Sequence, residues 1–210
     1  MGILDDISAY LQSGRAKIVS DLVAKALAEG VAPQSILEDG LLKGMGIIGE
    51  KFKNNEVFVP EVLVAARAMN KGAQLLKPAL AADGVKAKGV AVIGTVAGDY
   101  HDIGKNLVRM MMEGRGIEMV DLGVDVSAQK FLDAARESNA NIVCCSALLT
   151  TTMGEIKNVV DLVKGSDIGD KVAVMIGGAP VTQAYCDQIG ADCYAPDAGS
   201  AAEAAMRFLA

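Results

Sequence analysis

One histidine occurs in this chain, His101, within the segment Gly98-Asp99-Tyr100-His101-Asp102-Ile103-Gly104. Histidine is the side chain that most often binds a metal, and Asp99 stands close enough in sequence to orient its ring. A zinc site needs three or four clustered ligands, and a Ser-His-Asp triad needs an activated serine, but the sequence has neither pattern. If His101 binds a metal, the residue types therefore favour a centre in which a macrocycle supplies the other metal ligands.

The alternative to a metal ligand is an ordinary surface or helix-capping histidine, and the sequence around His101 distinguishes the two. The apolar run Val90–Ile93 before it predicts a buried strand, and Ile103–Met112 after it predicts a helix. A loop that leads from a strand into a helix lies at the carboxyl end of the sheet, where open α/β folds bind ligands.

Two further loops of the same kind carry unusual residues. The segment Ser146–Thr152 is rich in hydroxyl groups, which can bond to a polar ligand or cap the next helix. Gly177-Gly178 follows another apolar run, where glycines allow either a tight turn or a close approach of a ligand to the backbone. The glycines around His101 do not have the G-x-G-x-x-G spacing of a dinucleotide site. Because such loops converge in space, we expect one site.

The elements that position these loops make up the second half of the chain. Short apolar strands alternate with helices, which predicts an α/β domain with a flavodoxin-like (Rossmann-like) five-stranded parallel sheet. The predicted strands are Gly89–Thr95, Glu118–Leu122, Ile142–Ser146, Val172–Ile176 and Cys193-Tyr194. The predicted helices lie near residues 103–115, 127–138, 153–165, 180–190 and 199–209.

The first half has a helical period instead and predicts an all-α four-helix bundle. The four helices are expected near Asp5–Leu11, in the segment that closes at Gly30, from Pro33 to about Phe52, and from Pro60 onward. The polar segment Asp83–Lys88 is the predicted linker. We expect residues 1–87 to form the helical domain with its linker and residues 88–210 to form the α/β domain.

Charge and composition limit the classes of partner that this protein can bind. The 210 residues carry a net charge of −6 with a pI near 4.9, which argues against nucleic acid and anionic membranes as partners. No apolar run approaches the roughly 20 residues of a membrane span, and the amino terminus lacks a signal-peptide pattern, so a cytoplasmic protein is expected. The four cysteines form no C-x-x-C pair and are expected to be buried free thiols.

The spacing of the motifs resembles a known family. Asp99-x-His101-x-x-Gly104, Ser146-x-Leu148 and Gly177-Gly178 are similar to the cobalamin-binding signature D-x-H-x-x-G … S-x-L … G-G of methionine synthase and its relatives. The intervals between these motifs, 41 and 28 residues, also resemble those of that family. The segments 44–52 and 56–61 are similar to its helical cap domain. The whole chain most resembles free-standing corrinoid proteins that carry a methyl group between two methyltransferases.

The resemblance implies a role for each matching residue. His101 would coordinate the cobalt of cobalamin or a related cobamide in place of the lower base, Asp99 would hold the other ring nitrogen, and Thr152 would extend this relay. Residues that would line a slot for the displaced nucleotide tail are Ser146, Leu148, Gly177 and Gly178. Residues that would cover the upper face, with ordinary bundle core as the alternative, are Met45, Phe52 and Val59. The other expected cofactor contacts are Gly98, Asp102, Ile103, Gly104 and Thr150.

The same resemblance implies partners. Methylcobamide would be the loaded form. A substrate-specific methyltransferase of the methylamine, methanol or methyl-ether type would supply the methyl group, and an acceptor methyltransferase would pass it to coenzyme M or tetrahydrofolate. A reductive activation protein is also expected. The chain would then be a component of a methyltransferase system and not a complete enzyme alone.

Three other hypotheses remain open at this point. A cobalamin-binding subunit of an adenosylcobalamin-dependent mutase would lack the helical cap half. A cobalamin-binding regulator would add a DNA-binding module, which is usually basic. A flavodoxin-like domain without cobalamin would show a flavin absorption spectrum in place of a cobamide spectrum.

Overall fold

The computed structural model describes residues 2–82 and 87–209 of the chain. Contacts divide it into two compact units, residues 1–87 with Gly114–Gly116, and residues 88–113 with 117–210. The predicted linker Asp83–Lys88 lies outside the described residues, apart from Ala87 and Lys88.

The first unit is helical. Its helices are α1 (Ile3–Gln12), α2 (Ala16–Ala28), α3 (Pro33–Ser35), α4 (Lys43–Lys53) and α5 (Val59–Ala82), and a π-helix spans Ile36–Leu42 between α3 and α4. The helix predicted from Pro33 to about Phe52 is therefore present, but its middle segment is π-helical. A π-helical segment adds a residue to a turn without disturbing the apolar composition, so the sequence pattern does not reveal it.

Amphipathic helices and small residues hold this unit together. The buried stripes come from positions three or four apart, such as Ile7 and Leu11 of α1 and Val19 and Val23 of α2. Helices α1 and α4 approach closely, since a Cβ atom at Gly44 would lie only 3.0 Å from the carbonyl oxygen of Ser8. The predicted helical cap is thus confirmed as a bundle of packed helices.

The second unit alternates strands and helices, as predicted. The strands are β1 (Val90–Thr95), β2 (Glu118–Asp121), β3 (Ile142–Ser146), β4 (Ala173–Gly177) and β5 (Cys193–Tyr194). The helices are α6 (Ile103–Glu113), α7 (Ala128–Glu137), α8 (Met153–Lys164), α9 (Gln183–Ile189) and α10 (Ala198–Ala205), and a short 3-10 turn follows at Met206–Phe208. The strands are all parallel in the order β2-β1-β3-β4-β5, which confirms the flavodoxin-like fold.

The central strands are buried on both faces, which explains their continuous apolar runs. Val92, Val143 and Val174 lie in one core cluster with Phe131 of α7 and Ile156 of α8. No tryptophan is needed, because small and branched side chains fill the space between the layers.

The register of the sheet brings three loops to one level. Thr95 of β1 pairs with Ser146 of β3, and Ser146 pairs with Gly177 of β4. The loops that follow these three strands therefore begin side by side at the carboxyl edge.

Among residues 2–82 and 87–209, no helix is both long enough and apolar enough to cross a bilayer.

Candidate functional site

The loop after β1 presents His101. Gly98 takes the left-handed conformation that turns this loop, with φ +76°. The Nδ1 atom of His101 lies 2.7 Å from Oδ1 of Asp99, and the His101 backbone N–H donates to the same oxygen at 3.1 Å. Asp99 is fully buried, whereas 51% of the His101 side chain is exposed. The carboxylate thus engages Nδ1 and leaves Nε2 of the half-exposed ring for a metal.

The second oxygen of Asp99 joins the loop after β3 to this pair. Its Oδ2 atom accepts hydrogen bonds from the backbone N–H groups of Leu148 and Leu149 at 2.8 and 3.2 Å, and from the Thr152 hydroxyl at 2.9 Å. Burial raises the pKa of Asp99, but the hydrogen bonds from Leu148, His101 and Thr152 outweigh it and hold the pKa well below its usual range. Asp99 is therefore an ionised carboxylate that fixes the histidine ring.

Thr152 occupies the N-cap position of α8, yet its hydroxyl makes no capping hydrogen bond. The hydroxyl also lies 3.0 Å from the carbonyl oxygen of Leu149. A hydroxyl has one proton, and an ionised carboxylate is the stronger acceptor, so the proton is directed to Asp99. The Thr152 hydroxyl therefore bonds to Asp99 and does not cap helix α8.

The other residues predicted in this loop have different surroundings. Ser146 ends β3 and is half-buried, and its carbonyl accepts a hydrogen bond from the Val96 N–H at 3.0 Å. Leu148 keeps 43% of its surface exposed. Thr150 is exposed in the turn before α8. Only Thr152 among the hydroxyl residues of this loop is brought to Asp99 by a hydrogen bond that the described residues show.

The Gly177-Gly178 pair has a structural duty of its own. Gly178 has φ +126°, and a Cβ atom there would lie 1.8 Å from the carbonyl oxygen of Ala147. The close approach that this glycine permits is therefore between two backbone segments of the site. Gly177 ends β4, and its carbonyl accepts a hydrogen bond from the Ala147 N–H at 3.2 Å.

The first turn of α6 has an open surface. Ile103 is 70% exposed, and no described atom lies within 4 Å of the position that a Cβ atom on Gly104 would take. The Asp102 carboxylate accepts a hydrogen bond from the Asn106 side chain at 3.1 Å. A glycine that faces open space costs helix stability without relieving a clash, so a close approach by another molecule is a natural reason for it.

Residues expected to cover the cofactor from the cap lie on two helices. Met45 and Phe52 belong to α4, and Val59 begins α5. Met45 is buried, whereas Phe52 and Val59 are half-buried. Phe58, which precedes Val59, is 66% exposed.

Two further site residues were missed, Thr95 and Asp125. The Thr95 hydroxyl donates to the carbonyl oxygen of His101 at 2.8 Å, and the Asp125 carboxylate accepts from the Gly98 N–H at 2.7 Å. Thr95 is fully buried. Thr95 could have been recognised as a lone polar residue at the end of an apolar strand. No local sequence pattern indicates that Asp125 belongs to the site.

The donor set fits a corrinoid better than a bare metal ion. Within residues 2–82 and 87–209, no group of three or more His, Cys, Asp or Glu side chains could hold an ion by themselves. One imidazole nitrogen is free to bind, and the exposed apolar side chains on the neighbouring loops, Tyr100, Ile103, Leu148 and Leu149, offer contact area to a large ring. A parallel five-stranded sheet with this edge, joined to a helical cap, defines the class of cobalamin-binding proteins.

Comparison with known proteins specifies the family. The family description "B12 binding domain" matches residues 89–206, and a second B12 binding domain matches residues 3–77. Dimethylamine corrinoid protein 3 of Methanosarcina acetivorans is 42% identical over 99% of this chain and 97% of its own. A corrinoid protein of Desulfitobacterium hafniense is 38% identical over 100% and 98%. The chain therefore belongs to the family of B12-binding corrinoid proteins.

Solved structures agree with this assignment. The chain matches the methanol:cobalamin methyltransferase complex MtaBC of Methanosarcina barkeri with a TM-score of 0.88 and 30% identity, over 99% of this chain and 79% of that one. A cobalamin-binding protein of Desulfitobacterium hafniense matches with a TM-score of 0.79 and 31% identity, over 98% of each chain.

Proposed function

We propose that this protein carries a methyl group on a bound cobamide from a substrate-specific methyltransferase to an acceptor methyltransferase. The observation that carries the proposal is the Asp99–His101 pair, a half-exposed imidazole whose Nδ1 is engaged by a buried carboxylate at 2.7 Å. Such a pair holds the ring in one tautomer and one direction, as a removable axial ligand requires. When bound, a cobamide supplies a cobalt centre that accepts and releases a methyl group.

The chain's own residues have separate tasks in this proposal. His101 would hold the cobalt of a bound cobamide through Nε2, and Asp99 accepts a hydrogen bond from Nδ1–H. Thr152 and the Leu148 N–H hold Asp99 ionised, so the proton stays on the ring. Ser146, Leu148, Gly177 and Gly178 bound the slot for the nucleotide tail, and Gly98, Asp102, Ile103, Gly104 and Thr150 complete the edge of the site.

The helical half completes the proposed carrier. We assign residues 1–87 to the cap and residues 88–210 to the cobalamin-binding domain. In this proposal Met45, Phe52 and Val59 exclude water from the upper face of the cofactor until a partner docks.

The relatives support one choice of methyl donor. Dimethylamine corrinoid proteins at 42 and 43% identity make dimethylamine the first methyl donor to test, ahead of methanol and aromatic methyl ethers. The proposed acceptor enzyme passes the methyl group to coenzyme M or tetrahydrofolate. A protein that activates the carrier by reduction is the third proposed partner.

Methyl release by the loaded protein tests the proposal. The purified protein is loaded with methylcobalamin that carries an isotopic label in the methyl group. It is then mixed separately with a coenzyme M methyltransferase and with a tetrahydrofolate methyltransferase. We expect labelled product with one of them and none from a His101→Ala protein under the same conditions. Bound cofactor that exchanges its methyl group with neither enzyme would refute a carrier role.

A further inference from the structure

The last residue of β1 is bonded to the backbone of the histidine. The Thr95 hydroxyl donates to the His101 carbonyl oxygen at 2.8 Å, and Thr95 is fully buried. Thr95 is itself fixed, because its N–H donates to the Gly123 carbonyl and its carbonyl accepts from the Val126 N–H, each at 3.0 Å. The main chain at His101 is thus tied to the end of a central strand.

The loop between β2 and α7 braces the residues just before the histidine. The Asp125 carboxylate accepts from the Gly98 N–H at 2.7 Å and from the Tyr100 hydroxyl at 3.1 Å, while the Asp125 N–H donates to the Asp99 carbonyl at 3.0 Å. Asp125 has φ +54°, a conformation that costs a non-glycine residue free energy. Three bonds to consecutive residues of the His101 loop offset that cost.

These bonds act on a degree of freedom that Asp99 leaves open. The Asp99 side chain ties the ring to the loop after β3, but the His101 carbonyl and the turn at Gly98 are held by Thr95 and Asp125 instead. Thr95 and Asp125 belong to other segments of the sheet edge and tie the loop to them. A metal–ligand bond tolerates only about 0.2 Å of error, so this restraint matters for a histidine ligand.

We propose that Thr95 and Asp125 are positioning residues that hold the His101 loop in the place where its ring can ligate cobalt. The proposal rests on the proposed function only in taking His101 as the axial ligand. No hydrogen bond among the described residues joins either one to the ring. Thr95 acts through the His101 carbonyl, and Asp125 acts through the Gly98 N–H, the Asp99 carbonyl and the Tyr100 hydroxyl. Their removal weakens ligation by His101.

The single histidine makes the test specific. Protein grown with ¹⁵N-histidine carries the label in His101 alone. It is loaded with cob(II)alamin, and electron paramagnetic resonance distinguishes ligation by the ¹⁵N ring, a two-line nitrogen splitting, from a ¹⁴N base or no nitrogen. The readout is the ratio of His101-ligated to unligated cofactor.

Thr95→Val and Thr95→Ser form the first matched pair, because valine keeps the shape and serine keeps the hydroxyl. We expect Thr95→Val to lower the ratio of ligated to unligated cofactor by about fivefold or more, because one hydrogen bond is worth about that factor in an equilibrium. Thr95→Ser should stay near the wild type. Asp125→Ala should also lower the ratio, whereas Asp133→Ala, which removes an exposed carboxylate from α7, should not.

The outcomes separate the two proposals. If the unsubstituted protein shows no splitting from labelled His101, ligation by His101 is wrong, and the positioning role is lost with it. If that splitting is present and Thr95→Val and Asp125→Ala both retain the wild-type ratio, only the positioning role is refuted. Should Thr95→Val fail to fold by circular dichroism, Asp125→Ala against Asp133→Ala decides the matter.

Discussion

The Thr152 hydroxyl donates a hydrogen bond of 2.9 Å to Oδ2 of Asp99, across a separation of 53 residues in the chain. This bond joins the loop after β3 to the loop after β1 and leaves Oδ1 of Asp99 to the histidine. The Thr152 methyl group is accommodated beside Gly98, where a Cβ atom would be at an ordinary contact distance of 3.7 Å. Threonine therefore extends the Asp99–His101 pair without steric cost.

Substitution of Thr152 by valine should destabilise the cofactor-free protein. Valine preserves the shape but removes a buried hydrogen bond to an ionised carboxylate, which is worth about 1.5–3 kcal/mol. Thr152→Ser retains the hydroxyl and loses one methyl group, a cost of about 0.8 kcal/mol. Urea unfolding followed by circular dichroism measures both free energies. A Thr152→Val protein as stable as the wild type would show that the hydroxyl contributes nothing to stability.

Gly104→Ala should have opposite effects on the free protein and on cofactor binding. Alanine is favoured over glycine in a helix by about 0.8–1.0 kcal/mol, and the Gly104 site has room for it. The apo protein should therefore gain stability. A methyl group on the open face of α6 should obstruct a cobamide, so hydroxocobalamin should bind about tenfold or more weakly.

Gly154→Ala is the matched control for that substitution. Gly154 lies at the same position of the first turn in α8, and an added Cβ atom there would also have no described atom within 4 Å. It should gain similar stability in thermal unfolding while hydroxocobalamin affinity, measured by spectral titration, is retained. Unchanged affinity in Gly104→Ala would place the cofactor away from this face.

The architecture was predictable because it follows from local patterns. Strands buried on both faces leave apolar runs, and the alternation with helices leaves only a few sheet topologies. The Asp99–His101 pair was equally accessible, since its members are two residues apart. The π-helix Ile36–Leu42 was not, because apolar spacing does not record a shift in backbone hydrogen bonding.

The remainder of the site depends on long-range contacts. The Leu148 and Leu149 groups that bond Asp99 are backbone N–H groups, which any residue would supply. Asp125 reaches Gly98 across 27 residues, and only the register of the sheet edge brings them together. The glycine motif is ambiguous in sequence. Gly178 matches a binding signature, but its conformation also allows the backbone to pack closely against Ala147.

The Lys105–Asp121 ion pair should respond unequally to loss of its two members. The Lys105 Nζ atom is buried and lies 2.6 Å from Asp121 Oδ1 and 2.9 Å from Asn106 Oδ1. Asp121→Asn leaves that ammonium without an anion at hydrogen-bond distance, a loss we expect to cost about 2–4 kcal/mol. Lys105→Met should cost less, because Asp121 is partly solvated and keeps the Gly123 N–H at 3.0 Å. Urea unfolding that ranks the variants in the reverse order would contradict this assignment.

The same pair predicts a pH dependence of stability. Burial raises the pKa of Asp121, but hydrogen bonds from Lys105 and Gly123 and the charges of Lys105 and Arg109 bring the net pKa below its usual range. A carboxyl with a lowered folded pKa adds stability above its unfolded pKa of about 4, and that stability is lost as the pH falls further. The stability difference between wild type and Asp121→Asn should therefore shrink below about pH 4 in urea titrations.

The cysteines should be nearly inert in the folded protein. Burial raises the pKa of the Cys144 thiol to about 12, and it raises the pKa of Cys145 well above its ordinary value. The thiolate is the reactive form, so at about pH 8 both residues expose very little nucleophile to an alkylating reagent. Burial also raises the pKa of Cys193, but that residue is only half-buried and should be modified first.

Mass spectrometry after iodoacetamide treatment measures the order, with the urea-unfolded protein as the control in which all four thiols react. Rapid modification of Cys144 or Cys145 before unfolding would mean that the centre of the sheet opens far more readily than its packing implies.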